Sequence, residues 1–421
     1  MSPAKDPGSH PWLRGEISRW VWRMYAQRLT KAGRWLVLPT VVLSTYSGSS
    51  LQLQGYVAFA YVAGLWWVAI VAMVVSRPRV KIAVAHADRV SVGETAVVDV
   101  EVTLVGRRGR DLVVIAHRLP EELDLVPEDG VGIGDLKRGE KGKARLGILC
   151  KRRGAYVIKG FRVESDWPFG IWRSRQVIAR ERALLVYPKF TRLARLGLPA
   201  GRTYQPGGVA MASNLGESAE FIGNREYREG DNIRDIDWRA TARMCRPIVR
   251  EYREEYFMRV AVILDTHVPR GAGDLQRDMF ECAVSVGAGV SDYMARQDYL
   301  VDLFAAGPNL YHLTAGRSLA YLDQILDILA CVGKSEAEPF GVIEPELLEN
   351  LSRITTVICV LLDWDEARRA FVHRLAREGA AVKVIIVREG KCTLDPSGDS
   401  DVFGRIVVLE KSECERGVEE L

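Results

Sequence analysis

The chain has 421 residues, enough to bury two or three separate cores, and a formal net charge of +4. A surplus that small argues against nucleic acid as a partner. Seven cysteines (150, 245, 282, 331, 359, 392 and 414) are scattered, odd in number and form no C-x-x-C pair, which speaks against a disulfide framework and a zinc site and favours a reducing compartment.

Residues 1–34 form a basic segment with Lys5, Arg14, Arg19, Arg23, Arg28, Lys31 and Arg34. Within it, residues 11–29 read as an amphipathic helix lying on a membrane, with Leu13, Ile17, Trp20 and Met24 on one face. A transmembrane hairpin is expected over residues 35–76. Tyr56 to Val75 carries no charge and, at about 20 residues, is long enough to cross the hydrocarbon core. Leu36 to Tyr46 is also uncharged, but it contains Pro39 and is followed by Ser47-Gly48-Ser49-Ser50. Extended from Trp35 through Gln54 it makes a first pass; the alternative is a re-entrant or interfacial segment. Arg77, Arg79 and Lys81 follow the second segment, and the intervening loop has no basic residue. The positive-inside rule then places both termini and the soluble domains in the cytoplasm, with two helices in the inner membrane. Trp12, Trp20, Trp22, Trp35, Trp66 and Trp67 suit interfacial anchoring. No small-residue cleavage site follows a short apolar core, which disfavours a signal peptide.

Residues 80–187 read as an all-β domain. Val80–Val84 and Ala96–Val105 alternate, and Leu112–Ile115, Ala144–Leu149, Tyr156–Val163 and Leu184–Val186 are further short runs. Turns such as Val126-Pro127-Glu128-Asp129-Gly130 separate them. Six or seven strands over about a hundred residues fit an immunoglobulin-like sandwich. Asp166-Trp167-Pro168-Phe169-Gly170 is expected to be a tight turn with buried aromatics, or else part of a contact with the next domain.

Residues 188–257 join a connection rich in Gly, Arg and small residues to an Arg/Asp segment. From Arg225 to Glu255 there are eight Arg, eight Asp or Glu and no Lys. Arg alone suggests planar forks gripping carboxylates around a short helix. The segment is either a structural clamp between domains or a docking surface for another protein.

The run Phe221-Ile222-Gly223, Arg225-Glu226-Tyr227, Gly230-Asp231, Arg234-Asp235-Ile236-Asp237-Trp238 and Ala242-Arg243 resembles the signature of the family called domain of unknown function 58. Arg152-Arg153-Gly154-Ala155-Tyr156, the Asp166–Gly170 block and Val186-Tyr187-Pro188 agree with it in order and spacing. The resemblance spans most of residues 35–390. It implies a membrane-anchored protein with a von Willebrand factor A-like domain. Such proteins are often encoded beside a MoxR-type AAA+ ATPase and are thought to work with it.

Residues 258–410 change to an α/β pattern. Val260–Leu264, Tyr299–Ala305, Thr355–Leu362 and Ala381–Val387 read as strands, and Leu310–Leu313 as a strand pairing back. Asp274–Arg296, Arg317–Cys331 and Asp365–Glu378 read as helices. The alternation implies a doubly wound sheet, with ligand sites at the carboxyl ends of its strands. Asp265 and Asp363 stand at two such ends. Both match the von Willebrand A-like pattern, in which a D-x-S-x-S loop, a Thr and a second Asp hold a divalent cation such as magnesium. This chain departs from it: His267 and Pro269 stand where the serines belong. Asp265, Thr314 and Asp363 remain as a degenerate candidate metal set. Without an ion, Asp265 is expected to cap the following turn or pair with an Arg of the charged segment.

No catalytic residue and no organic cofactor are expected. The six histidines do not cluster, and neither G-x-x-x-x-G-K-[ST] nor G-x-S-x-G occurs. Gly287-Ala288-Gly289 lies within a helical pattern and suits close packing. The expected function is a membrane-tethered adaptor or scaffold with a MoxR-type AAA+ ATPase as leading partner. Its contact residues would be Arg225, Tyr227, Gly230, Asp231, Arg234, Asp235, Asp237, Trp238 and Arg243. The alternative is a metal-dependent hydrolase using Asp265, Asp363, Asp231 and Asp237. A surface-binding role would need the large domain outside, against the charge rule and the free cysteines.

Overall fold

The structure, a computed structural model, describes residues 25, 28–49, 53–199, 220–231, 233–253, 259–297, 299–306, 310–314, 319–337 and 340–421. The expected membrane-surface helix over residues 11–29 falls almost wholly outside these. The chain is multidomain, with mixed sheets, and divides into two compact units, Met1–Lys189 and Phe190–Leu421.

The first unit opens with helices α1 (Lys31–Ser49) and α2 (Leu53–Val75). Among the described residues one helix, α2, is long and apolar enough to cross a membrane. Over the segment expected as a first pass, Trp35 through Gln54, the described residues hold a 19-residue helix that begins in the basic segment and contains Pro39. Starting at Lys31 and including Arg34, it takes charge and glycine into its span, which dilutes its apolar character. The two helices touch through Trp66, whose Nε1 donates to Thr40 Oγ1 at 3.0 Å.

The β-region holds nine strands in two sheets: β1 (Val80–His86), β2 (Arg89–Ser91), β3 (Thr95–Leu104), β4 (Arg108–Ala116), β5 (Leu123–Val126), β6 (Val131–Lys137), β7 (Lys141–Cys150), β8 (Gly154–Ser165) and β9 (Ser174–Tyr187). One sheet has the order β1-β3-β7-β5 and the other β2-β9-β8-β4-β6. Strict alternation drives this: β3 and β7 bury every second residue. Val98, Val100 and Val102 from the first sheet share one core with Leu112, Ile158, Phe161 and Val163 from the second.

The Asp166–Gly170 segment forms the expected turn, with the Gly170 amide donating to the Asp166 carbonyl at 2.8 Å. Its aromatics, however, are not buried: Phe169 is 47% exposed and Trp167 lies under the Arg110 guanidinium. A turn this tight turns its side chains outward, where a cation can cover the ring. The following residues meet the helices, with Trp172 edge-on to Trp66 at 5.6 Å and Ile171 accepting from the Thr30 amide.

The second unit carries a small hairpin and a six-stranded sheet. β10 (Glu220–Glu226) pairs antiparallel with β11 (Ile248–Arg253), and helix α3 (Trp238–Met244) lies between them in sequence. The sheet has the order β14-β13-β12-β15-β16-β17, built from β12 (Arg259–Leu264), β13 (Leu300–Ala306), β14 (Leu310–Thr314), β15 (Thr356–Leu361), β16 (Ala381–Val387) and β17 (Val407–Leu409). β14 is antiparallel to β13, and the other pairs are parallel.

The central strands are apolar on both faces, as parallel strands between helices must be. Ala261, Ile263, Val357, Cys359, Val384 and Ile386 pack with helices α6 (Phe340–Asn350) and α7 (Glu366–Arg377). Helix α4 (Asp274–Arg296) contacts β12, β13, β15 and β16. Gly287 and Gly289 are packing positions within α4: a Cβ at Gly289 would lie 3.0 Å from the Thr191 carbonyl. Helix α5 (Leu319–Cys331) packs on α4, and helices α8 (Ser400–Phe403) and α9 (Lys411–Arg416) flank β17 in the chain.

Candidate functional site

Two places collect the residues singled out from sequence. The first is the carboxyl end of the six-stranded sheet. Asp265 follows β12 directly and is wholly buried. Its Oδ1 accepts from the His267 amide at 2.9 Å, which caps the turn as expected. Its Oδ2 accepts from the Leu362 amide at 3.0 Å and from Arg368 Nε at 2.7 Å. The partner is therefore an arginine of α7, not one of the charged segment. Burial alone would lower the Arg368 pKa, but the facing Asp265 and Asp365 carboxylates hold it above its ordinary value. Asp365 caps α7 by accepting from the Arg368 amide, and its other oxygen meets the Arg368 guanidinium.

Asp363 is served in the same way. Its Oδ1 accepts from the Trp364 amide at 2.7 Å and the Thr393 amide at 3.0 Å. Its Oδ2 accepts from Thr393 Oγ1 at 2.5 Å and pairs with Arg388. Burial pushes the Asp363 pKa up, but the Thr393 and Trp364 hydrogen bonds and the Arg388 charge outweigh it, so the carboxyl titrates below its usual range.

These residues do not fit a magnesium site. A hard cation needs carboxylate lone pairs free to face it. Here both oxygens of each acid are spent on N–H and O–H donors, and a guanidinium stands against each. The third candidate ligand, Thr314, ends β14, and its side chain lies outside the described residues. A cavity of about 280 Å³ opens beside Asp363, lined also by His267, Leu275, Met279, Arg368 and Arg388 among others. His267 Nδ1 is buried with no hydrogen-bond partner.

The second place is the Arg/Asp segment. Arg225 grips Asp231 with two parallel bonds, Nη1 to Oδ2 at 2.6 Å and Nη2 to Oδ1 at 2.7 Å. The Arg225 hydrogen bonds, with the Arg228 amide, lower the Asp231 pKa to about 2. Gly230 precedes it at φ 106°, a conformation that favours glycine. The Tyr227 amide donates to the Pro247 carbonyl at 2.9 Å, tying the loop to the start of β11.

Asp237 caps α3. Its Oδ1 accepts from the Arg239 and Ala240 amides at 3.0 Å each, and its Oδ2 lies 3.5 Å from Arg250 Nε. The Ala240 bond leads in holding its pKa low, with burial opposing. Asp237 thus serves as the helix cap and also faces the Arg250 guanidinium. Arg234 and Asp235 lie in a 3-10 turn (Ile233–Asp235), and Arg243 in the last turn of α3. Trp238, the first residue of α3, is 67% exposed, as is Ile233, and Met244 is 60% exposed.

Sequence reading found the acids but not Arg368, Arg388 or Thr393, which answer them. The one local signal was Asp365, an N-cap residue three positions before Arg368.

Residues 223–389 match the family described as "Protein of unknown function DUF58". That match supports the family resemblance over this stretch, from the charged segment to the end of β16. Among curated proteins, none matches. Among solved structures, a CARDB domain in complex with di-metal ions from Pyrococcus furiosus is similar at 12% identity, covering 26% of this chain and 94% of that one, with a TM-score of 0.16. A likeness at that score carries no argument.

Proposed function

We propose that this chain is a membrane-anchored adaptor that binds a protein partner through its Arg/Asp segment and α/β domain. One observation carries the reading: Trp238, Ile233 and Met244 stand exposed on a short segment whose backbone is fixed by arginine–carboxylate pairs. Large apolar side chains held in place and left wet are what a partner buries, and Trp and Arg are the residues that most often anchor interfaces. The family resemblance makes a MoxR-type AAA+ ATPase the leading partner. In the same reading α1 and α2 form an inner-membrane hairpin with the soluble domains in the cytoplasm. The β-region is then an immunoglobulin-like spacer and the six-stranded sheet a von Willebrand factor A-like domain.

The hydrolase reading draws no support from the acids. Asp265, Asp363 and Asp231 are each met by an arginine, which neutralises the charge a metal would need.

The test is affinity purification from gently solubilised native membranes, wild type against Trp238→Ala, with bound proteins identified by mass spectrometry. The expected outcome is an AAA+ ATPase recovered with wild type and lost with a folded variant. Undiminished recovery by the variant overturns the interface; no ATPase with wild type overturns the partner.

A further inference from the structure

The chain leaving α2 enters the β-region beside a cluster of arginines. Phe161 and Val163 of β8 pack in the sandwich core, so Arg162 and Glu164 lie on the opposite, outer face of their sheet. Arg175 of β9 stands directly across from Glu164 in the antiparallel register and shares that face. Arg173 lies two residues earlier. Leu29 bridges Trp172 in antiparallel fashion, and the Arg173 amide donates to the Arg28 carbonyl at 2.7 Å, which sets Arg28 opposite Arg173.

The nearby carboxylates are already taken. Arg173 Nε donates to Asp166 Oδ1 at 3.0 Å, and its Nη1 lies 3.2 Å from Glu164 Oε2. Arg162 Nε lies 2.6 Å from the other Glu164 oxygen. Asp129 attracts Arg173 as well, from beyond pairing distance. Among the described residues Arg28 pairs with no acid, and its Nη1 reaches the Met73 sulfur at 3.9 Å. Burial raises the Glu164 pKa although Arg162 and Arg173 oppose it. Burial, then the Arg162 and Arg28 charges, lowers that of Arg175. Positive charge is thus crowded in a half-desolvated place, where a fixed anion gains most.

This cluster stands at one end of the apolar helix. Met73 lies in the last turn of α2, and the exposed Arg77, Arg79 and Lys81 follow. The Val80 amide donates to Gln176 Oε1 at 2.8 Å and Gln176 Nε2 donates to the Val80 carbonyl at 3.2 Å. Those two bonds fix the start of β9 beside the chain leaving the helix. Trp66 of α2 meets Trp172 edge-on, and Trp67 is 69% exposed. Indole rings favour the boundary between hydrocarbon and headgroups.

We propose that Arg28, Arg162 and Arg175 form a binding site for the phosphate of an anionic phospholipid, at the membrane boundary of the β-region. The inference rests on reading α2 as a membrane span. A guanidinium fork matches two phosphate oxygens with parallel N–H donors. Basic clusters just beyond a spanning helix attract anionic lipid, each charge being worth about fivefold in binding.

The test is native mass spectrometry of the full chain, purified in detergent from membranes and titrated with dioleoyl phosphatidylglycerol or with dioleoyl phosphatidylcholine. Phosphatidylglycerol should bind more tightly. Arg28→Gln, which leaves the Glu164 pairs intact, should weaken it about fivefold without changing phosphatidylcholine. Arg162→Gln combined with Arg175→Gln should weaken it further. Lys143→Gln, at an exposed position of the other sheet, should leave it unchanged. Equal affinity of a membrane-recovered chain for the two lipids overturns the site, as does undiminished binding in both arginine variants or an equal loss in Lys143→Gln. Displacement of the lipid by millimolar inorganic phosphate at fixed ionic strength assigns the cluster to the free ion and overturns the lipid. Recovery of the chain in the soluble fraction without detergent overturns the membrane reading of α2 itself.

Discussion

Arg368 Nε donates to Asp265 Oδ2 across 2.7 Å, joining side chains that are 7% and 0% exposed and lie 103 positions apart in sequence. A cation supplied by the chain thus stands where an incoming ion would otherwise meet the buried acid. Removing it leaves that acid unpaired. Arg368→Met should destabilise the α/β domain by about 3–5 kcal/mol, the range for breaking a buried pair. Chemical denaturation followed by fluorescence measures this. Adding Asp265→Asn should recover much of the loss, because the orphaned charge is removed with its partner.

The same geometry bears on ion binding. Isothermal titration of wild type with magnesium or manganese at millimolar concentration should give no binding heat, since the lone pairs of Asp265 and Asp363 already accept from protein donors. A saturable heat would overturn that account of the sheet end.

Asp231 titrates at about 2 because Arg225 and the Arg228 amide favour its charged form. Its unfolded value is about 3.9. With the folded value depressed, its contribution is complete above about pH 4 and is lost as pH falls through about 2. A carbon-detected NMR titration of the Asp231 carboxyl should show a midpoint near the lower value. Arg225→Ala should move it up toward the ordinary one.

Trp238 and Asp237 are neighbours with opposite expectations. Trp238→Ala should change stability by no more than about 0.5 kcal/mol, because the ring is mostly in solvent. Asp237→Ala removes the acceptor of the Arg239 and Ala240 amides. Hydrogen exchange at those two amides should accelerate in Asp237→Ala and stay unchanged in Trp238→Ala. Unfolding by Trp238→Ala would show that the ring supports the segment rather than awaiting a partner.

Periodicity carried most of the secondary structure. The helix over Asp274–Arg296 and the strand over Ala381–Val387 are legible to the residue, because an unbroken apolar period leaves one consistent register. The strands Arg89–Ser91, Leu123–Val126 and Val131–Lys137 are too short or too glycine-interrupted to show alternation. The helix Phe340–Asn350 is masked by Pro345 in its interior. At the candidate site, the strand-end rule picked out Asp265 and Asp363 without their partners.

The sequence by itself determined the apolar α2, the alternating β-region, the α/β pattern and an Arg/Asp segment with no lysine. All of these follow from local composition and spacing. Tertiary structure alone decided that Arg368 and Arg388 take the two sheet-end acids and that Trp238 faces solvent. Those pairings join positions far apart in the chain. Charge pairing depends on distance in space, which packing fixes and spacing in sequence does not.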